Sequence, residues 1–197
     1  MTSQRHNTAA AAAAEIPAPI LDATRDAVLA VGVRRTTLTD VARRAGVSRM
    51  TVYRLVPDVN TLILEVMTRD LGALFEAAEQ AARRRRTARS RLVAIVVEIC
   101  RRLPREPLFR RVLDVDPELL LPYLTDRWGS TQRLAASRVR ADIIEGQADG
   151  SIRRGDADTM ARMLVLLTTP YVVASGSVAA FDPYDELERL VDRWLRP

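Results

Sequence analysis

Cysteine and histidine are almost missing from this sequence. Cys100 is the sole cysteine and His6 the sole histidine among 197 residues. One thiol excludes an intramolecular disulfide and any cysteine-based metal cluster. One histidine near the start leaves no material for a His-based catalytic triad or a zinc site. No catalytic residue, metal or cofactor is therefore expected. Lysine is absent altogether, so all 30 basic residues are arginine. Eight glycines and ten prolines are too few for a fibrous or broadly disordered chain. No stretch of about 18 apolar residues is free of charge, so no membrane helix and no membrane partner are expected. Ala9 to Ala14 are too small and bland for a secretory core. These two absences give the expectation of a cytoplasmic protein.

Alternation of Val, Ile and Thr between hairpin turns is missing too, which excludes a β-fold. What is present is helical almost throughout, and the fold class read from it is all-α. Residues 1 to about 16, closed by Pro17 and Pro19, read as a tail. Apolar spacing and stop signals then give helices over about 17–31, 38–45, 49–55, 59–84 and 88–103. Shorter helices follow Pro107 and Pro117, and longer ones cover about 127–148, 157–175 and 184–195. Pro170 should kink the penultimate helix. A composition that is 48% hydrophobic can bury a core, and the net charge of +5 favours an anionic partner.

The most informative stretch is Thr36 to Pro57, TTLTDVARRAGVSRMTVYRLVP. Thr37 followed by Asp40 has capping-box spacing. Leu38, Val41, Ala42 and Ala45 form one apolar helical face, with Ala42 small where a second helix must cross. Gly46 stands where the turn needs a positive φ. Val47 plugs the corner and Ser48 can cap the next helix. Val52 and Leu55 point inward. Two short helices around such a turn are the helix-turn-helix unit. At about 100° per residue, Met50 and Arg54 fall opposite Val52, with Thr51 and Tyr53 on the flanks and Arg49 in the exposed first turn. Arg can fork onto guanine, Thr and Met can touch a thymine methyl, and hydroxyls suit phosphate oxygens. Between Ile20 and Pro57 seven arginines (25, 34, 35, 43, 44, 49, 54) face three aspartates (22, 26, 40), a local excess of four positive charges.

At this point the sequence resembles the TetR family of bacterial regulators. The matching residues are Ile20-Leu21-Asp22-Ala23, Gly32, Thr36-Thr37-Leu38-Thr39-Asp40-Val41-Ala42, Ala45-Gly46-Val47-Ser48, Thr51-Val52-Tyr53-Arg54, Pro57 and Leu62. The resemblance is specific over about residues 18 to 66. It implies a three-helix DNA-binding domain over 17–62 and a larger helical ligand-binding and dimerisation domain over 63–197. It further implies a homodimeric repressor of double-stranded operator DNA, released by an unknown small-molecule effector. Carried over by position, the DNA-facing set is Thr37, Thr39, Ser48, Arg49, Met50, Thr51, Tyr53 and Arg54. Two positions depart from the family's pattern. Leu55-Val56 stand where the family often has His-Phe, and Val59 where it often has a phosphate-binding lysine.

In the C-terminal two-thirds, the run from Leu92 to Leu103 is apolar nearly all round, as a buried bundle helix is. Cys100 within it reads as a small buried hydrophobe. A bundle can hold a ligand between helices. The candidate lining is Cys100, Leu103, Phe109, Leu113, Tyr123, Trp128, Met163, Leu167 and Tyr171, against plain core packing. Its neutrality leans to an apolar or aromatic molecule. The last two helices are the candidate dimer surface, through Met160 and Leu164 on one and Leu187, Leu190, Val191 and Trp194 on the other. Arg83 to Arg86 read as a solvated turn, and Asp114, Asp116, Glu186 and Glu188 as surface or caps. From the residues alone, two further readings stay open: a sequence-independent DNA binder, and a helical enzyme for which no catalytic constellation is visible.

Overall fold

The computed structural model describes residues 16–174 and 182–197. The alanine-rich opening with His6, and Ser175 at the expected end of the penultimate helix, lie outside the described residues. Ten α-helices are described: α1 (Ala18–Val31), α2 (Leu38–Arg44), α3 (Arg49–Leu55), α4 (Val59–Ala82), α5 (Ala88–Arg102), α6 (Pro107–Val115), α7 (Leu121–Thr125), α8 (Ser130–Ala148), α9 (Ala157–Val173) and α10 (Tyr184–Leu195). Short 3-10 turns occupy Val33–Arg35, Leu103–Arg105 and Pro117–Leu119. Among the described residues there is no strand.

Side-chain caps set many of the boundaries. Asp58 accepts the Thr61 N–H at 2.7 Å to start α4, and Asp156 accepts the Thr159 N–H at 2.8 Å to start α9. Thr87 and Ser90 exchange hydrogen bonds at the start of α5, each hydroxyl accepting the other's N–H at 3.2 Å. Asp149 ties the end of α8 to that same start, accepting the Ala88 N–H at 2.9 Å and the Ser151 N–H at 2.8 Å. Hydrogen bonding from Ser151 and from Ala88 holds its carboxyl below the usual carboxylate range. The neighbouring Gly150 turns at φ +74°.

The segment after Pro117 differs from expectation. A 3-10 turn and the one-turn α7 stand there, because Pro122 disfavours a helix interior but fits the first turn of a new helix. Helix α8 begins at Ser130 rather than 127, where Gly129 is extended and its N–H meets the Gln132 side chain at 2.7 Å.

Two cores share α1. Ile20 and Ala23 pack with Leu38, Val41, Ala42, Val52, Val56 and Leu62 in a small head core. Leu21 and Val28, on the other side of α1, join the main core with Val66, Leu92, Leu108, Ile143 and Leu164. Along α4 the change falls between Leu62 and Ile63, adjacent residues that face different cores. Full burial of each such aliphatic side chain contributes about 1.5–3 kcal/mol.

Candidate nucleic-acid interface and ligand cavity

The head is built from α1 to α3. Thr37 starts α2 by accepting the Asp40 N–H at 3.1 Å, while its hydroxyl donates to the Asp40 carboxylate at 3.2 Å. The carboxylate thus reads the hydroxyl, not the Thr37 N–H, and the box is one-sided. Gly46 takes φ +68°, and the Val47 N–H returns to Ala42 O at 3.0 Å. Ser48 caps α3 through the Thr51 N–H at 3.1 Å, with the two hydroxyls 2.8 Å apart. With the turn fixed, Val52 is 0% exposed while Met50 is 75% and Tyr53 52% exposed. Thr37, Ser48, Arg49 and Arg54 are also exposed, and Thr39 and Thr51 are half-buried. Val56 is in the head core, Leu55 packs against it, and Val59 packs against both cores. The departures from His-Phe and lysine are therefore packing residues here.

The charge on this face is less than the sequence count suggests. Arg25 pairs with Asp70 and, at 3.8 Å, with Glu106. Arg34 reaches Asp116 at 3.0 Å and Glu118 at 2.5 Å. Both arginines thus engage acids of α4 and of the segments on either side of α6, which offset their charge. Glu118 holds the Arg34 guanidinium above its ordinary range. Arg35, Arg44, Arg49 and Arg54 have no acidic partner within 4.0 Å among the described residues. An array of unneutralised guanidiniums beside an exposed helix suits a polyanion.

Asp116, read as a surface or capping residue, is a cap: it closes α6 and opens the turn at Pro117, and it is 2% exposed. Its carboxylate accepts the Val33 N–H at 3.3 Å, immediately after Gly32 at φ +86°. The end of α6 thereby grips the turn that leaves α1. An isolated spacing of acids in the sequence carries no signal of that contact.

A cavity of about 560 Å³ lies among α4 to α9. Of the candidate lining residues, Cys100, Leu103, Phe109, Tyr123 and Trp128 lie on its wall. Leu113 and Tyr171 instead pack on the main core, and Met163 and Leu167 lie exposed on the outer side of α9. Leu164, Val165, Thr168 and Val172 are the α9 residues on the wall. The correction is one of helical phase: residues 163 and 167 are one step, about 100°, from the inward stripe. The reading also missed Met67, Leu71 and Phe75 of α4, whose four-residue spacing was available as a signal. Burial pushes the Cys100 thiol up to about 12, so it stays protonated and is no thiolate nucleophile.

The expected dimer stripe is corrected by the same phase. Met160, Leu164, Leu187 and Val191 are buried within the protomer, on faces covered by α8 and α5. Leu190 is exposed at 47%, and Trp194 is half-buried beneath the Arg153 guanidinium at 5.0 Å. The outward apolar residues of α9 are Met163, Leu166 and Leu167.

An exposed, cationic second helix of a helix-turn-helix, mounted on a helical domain with an internal cavity, defines a DNA-binding transcriptional regulator. Residues 20–56 match the model for bacterial regulatory proteins of the tetR family. An uncharacterized HTH-type transcriptional regulator of Mycobacterium bovis is 34% identical over 159 residues, covering 81% of each chain. The chain belongs to the TetR family, whose members are regulators and not enzymes. Among solved structures, the TetR-family transcriptional repressor QsdR of R. erythropolis has a TM-score of 0.72 at 16% identity, covering 89% of this chain and 92% of that one. FadR of Bacillus subtilis in complex with stearoyl-CoA has a TM-score of 0.61 at 15% identity, covering 90% and 98%. At these identities the likeness is one of fold. No helix described is long and apolar enough to cross a membrane.

Proposed function

We propose that this protein is a dimeric, sequence-specific repressor that leaves its operator when a small molecule occupies the cavity. Residues 17–62 are its DNA-binding unit and 63–197 its sensing and dimerising unit. Thr37, Thr39, Ser48, Arg49, Met50, Thr51, Tyr53 and Arg54 meet DNA, with Arg49 and Arg54 reading bases or phosphates. Met163, Leu166, Leu167 and Leu190 meet their copies on a partner protomer across a twofold axis.

One observation carries the release step. Helix α6 and the turn after it belong to two places at once. Phe109 and Leu120 wall the cavity, while Asp116 and Glu118 hold Val33 and Arg34 of the head. A ligand that moves Phe109 or Leu120 therefore moves the contact that orients the head. Two heads must present α3 to successive major grooves about 34–36 Å apart. A ligand that favours another spacing shifts the population off DNA. The description of QsdR as a repressor and the ligand held by FadR support the reading.

The test is binding of purified protein to the DNA upstream of its own gene and to a scrambled duplex of equal length, with mass by sedimentation. A strong preference, by a dimer, supports the proposal. Equal affinity for both, and for duplexes selected from the whole genome, would make it a sequence-independent binder and sink it.

A further inference from the structure

We infer that the effector is an amphiphile with a single carboxylate-like anionic head and an extended apolar body, held with its head at Arg127. This rests on the reading of the cavity as the effector site. The cavity is polarised along its length. Thr68 of α4 bonds Ser130 and Thr131 at the start of α8, both at 2.9 Å, and Glu79 farther along α4 bonds Arg138 at 3.2 Å. The two helices thus run side by side in the same direction. Glu65 and Arg127 to Arg133 consequently share one end of the cavity, and Leu71, Phe75 and Val139 share the other.

The two ends differ in chemistry and access. Leu71, Phe75, Ile99 and Val139 are buried, and no charged side chain lines that end. The two α9 hydroxyls that line the cavity donate to their own helix, Thr168 to Leu164 O at 2.8 Å and Thr169 to Val165 O at 2.7 Å. A ligand body among Leu71, Phe75, Ile99 and Val139 meets mainly apolar side chains, so a polar group placed there is penalised.

The opposite end is open, since Arg127 and Arg133 are exposed. Arg133 donates to Trp128 O at 2.6 Å, and Arg162 stacks on the Trp128 ring at 5.7 Å. Arg127, Arg133 and Arg162 have no acidic partner within 4.0 Å among the described residues. Glu65 is the one carboxylate lining this end, so the rim is net cationic. Of the two arginines that line it, Arg127 alone makes no side-chain hydrogen bond among the described residues. A guanidinium in that state suits a carboxylate.

The test is calorimetric titration of the intact protein, without DNA, with decanoate, decanol and butyrate as probes. Decanoate should bind saturably and decanol roughly tenfold more weakly, as loss of one charge-assisted hydrogen bond implies. Butyrate, with the head but little body, should not bind measurably. Arg127→Gln should weaken decanoate by a similar factor and leave decanol unchanged, and Arg127→Lys should restore part of the loss. Val139→Phe, which fills the apolar end, should weaken both long probes. If that variant does not fold, the Arg127 pair still decides. Equal affinity for acid and alcohol, no effect of Arg127→Gln, or no saturable binding of any probe overturns the inference. Such a failure leaves operator preference untouched. Decanoate binding by a protein with no operator preference would instead retain the ligand class and sink the repressor.

Discussion

Two regions of this molecule use arginine in opposite ways. In the C-terminal region many guanidiniums are tied to carboxylates across helices: Arg138 to Glu79, Arg89 to Asp192, Arg140 to Asp158 and Arg91 to Glu145. In the head, Arg35, Arg44, Arg49 and Arg54 are left without such partners among the described residues, and the two head arginines that are tied across, Arg25 and Arg34, reach outside it. The cores differ as well. The head core is small and filled by eight buried residues, whereas the larger core wraps a cavity. Free charge outside a small filled core suits a part that grips a polyanion. Charge paired between helices, with Arg127, Arg133 and Arg162 left without acidic partners among the described residues beside an unfilled interior, suits a part that holds helices together while admitting a guest.

The largest expected effect breaks the head alone. Val52→Asp puts an unpaired carboxylate in a fully buried site, at a cost above about 3 kcal/mol. DNA binding should vanish while far-UV circular dichroism keeps most of the helical signal. Loss of the entire helical signal would mean that the two cores melt as one unit. The converse is Ile143→Ala in the main core, fully buried, expected to cost about 2–5 kcal/mol in denaturant unfolding. Operator affinity near 25 °C should barely change if the head is intact.

Asp116→Ala addresses the seam between them. It strands the Val33 N–H, which should cost about 1–3 kcal/mol of stability. It should also uncouple DNA affinity from cavity occupancy; a variant that still responds fully to a cavity ligand would move the coupling elsewhere. Arg49→Ala sharpens the head's side of the comparison. It should cost about 1–3 kcal/mol at particular base pairs without shifting the melting temperature, whereas Tyr53→Ala should weaken all duplexes alike. Neither change altering DNA binding would remove α3 from the interface.

The smallest effect belongs to the paired network. Burial first, and then the neighbouring Glu79 and Glu145 carboxylates, push the Asp142 carboxyl up from 3.8 to about 6. The folded state therefore holds this proton more tightly than the unfolded state. Stability is lost as pH rises from the ordinary value through about 6, and the loss is complete above it. Asp142→Asn should raise stability near neutral pH by about 1 kcal/mol after allowance for solvent screening, read as a higher melting temperature. That gain should disappear near the ordinary carboxyl value, and a gain independent of pH would point to a cause other than ionisation.

The head was readable because its signals are local. Thr37, Gly46, Ser48 and Val52 each answer to neighbours within a few residues, and α3 begins and ends where spacing put it. The C-terminal region was readable as helices, for the same reason. Its faces were not. Along α9, Met160 and Leu164 are as apolar as Met163 and Leu167, and composition gives no phase to a helix that is apolar on more than one side. The contacts with α8 and α5 turn one stripe toward the interior and leave the other outside.

The sequence by itself therefore determined that this chain is all-helical, where its helix-turn-helix lies, and which side chains of α3 stand free, because caps, turns and short apolar spacings act over one or two helical turns. Only the tertiary structure decided which apolar stripes face the cavity, that Arg25 and Arg34 bind carboxylates rather than stand free, and that Asp116 is buried against the head. The contacts of Arg25, Arg34 and Asp116 join groups from 45 to 84 residues apart, and spacing along the chain carries no record of such encounters.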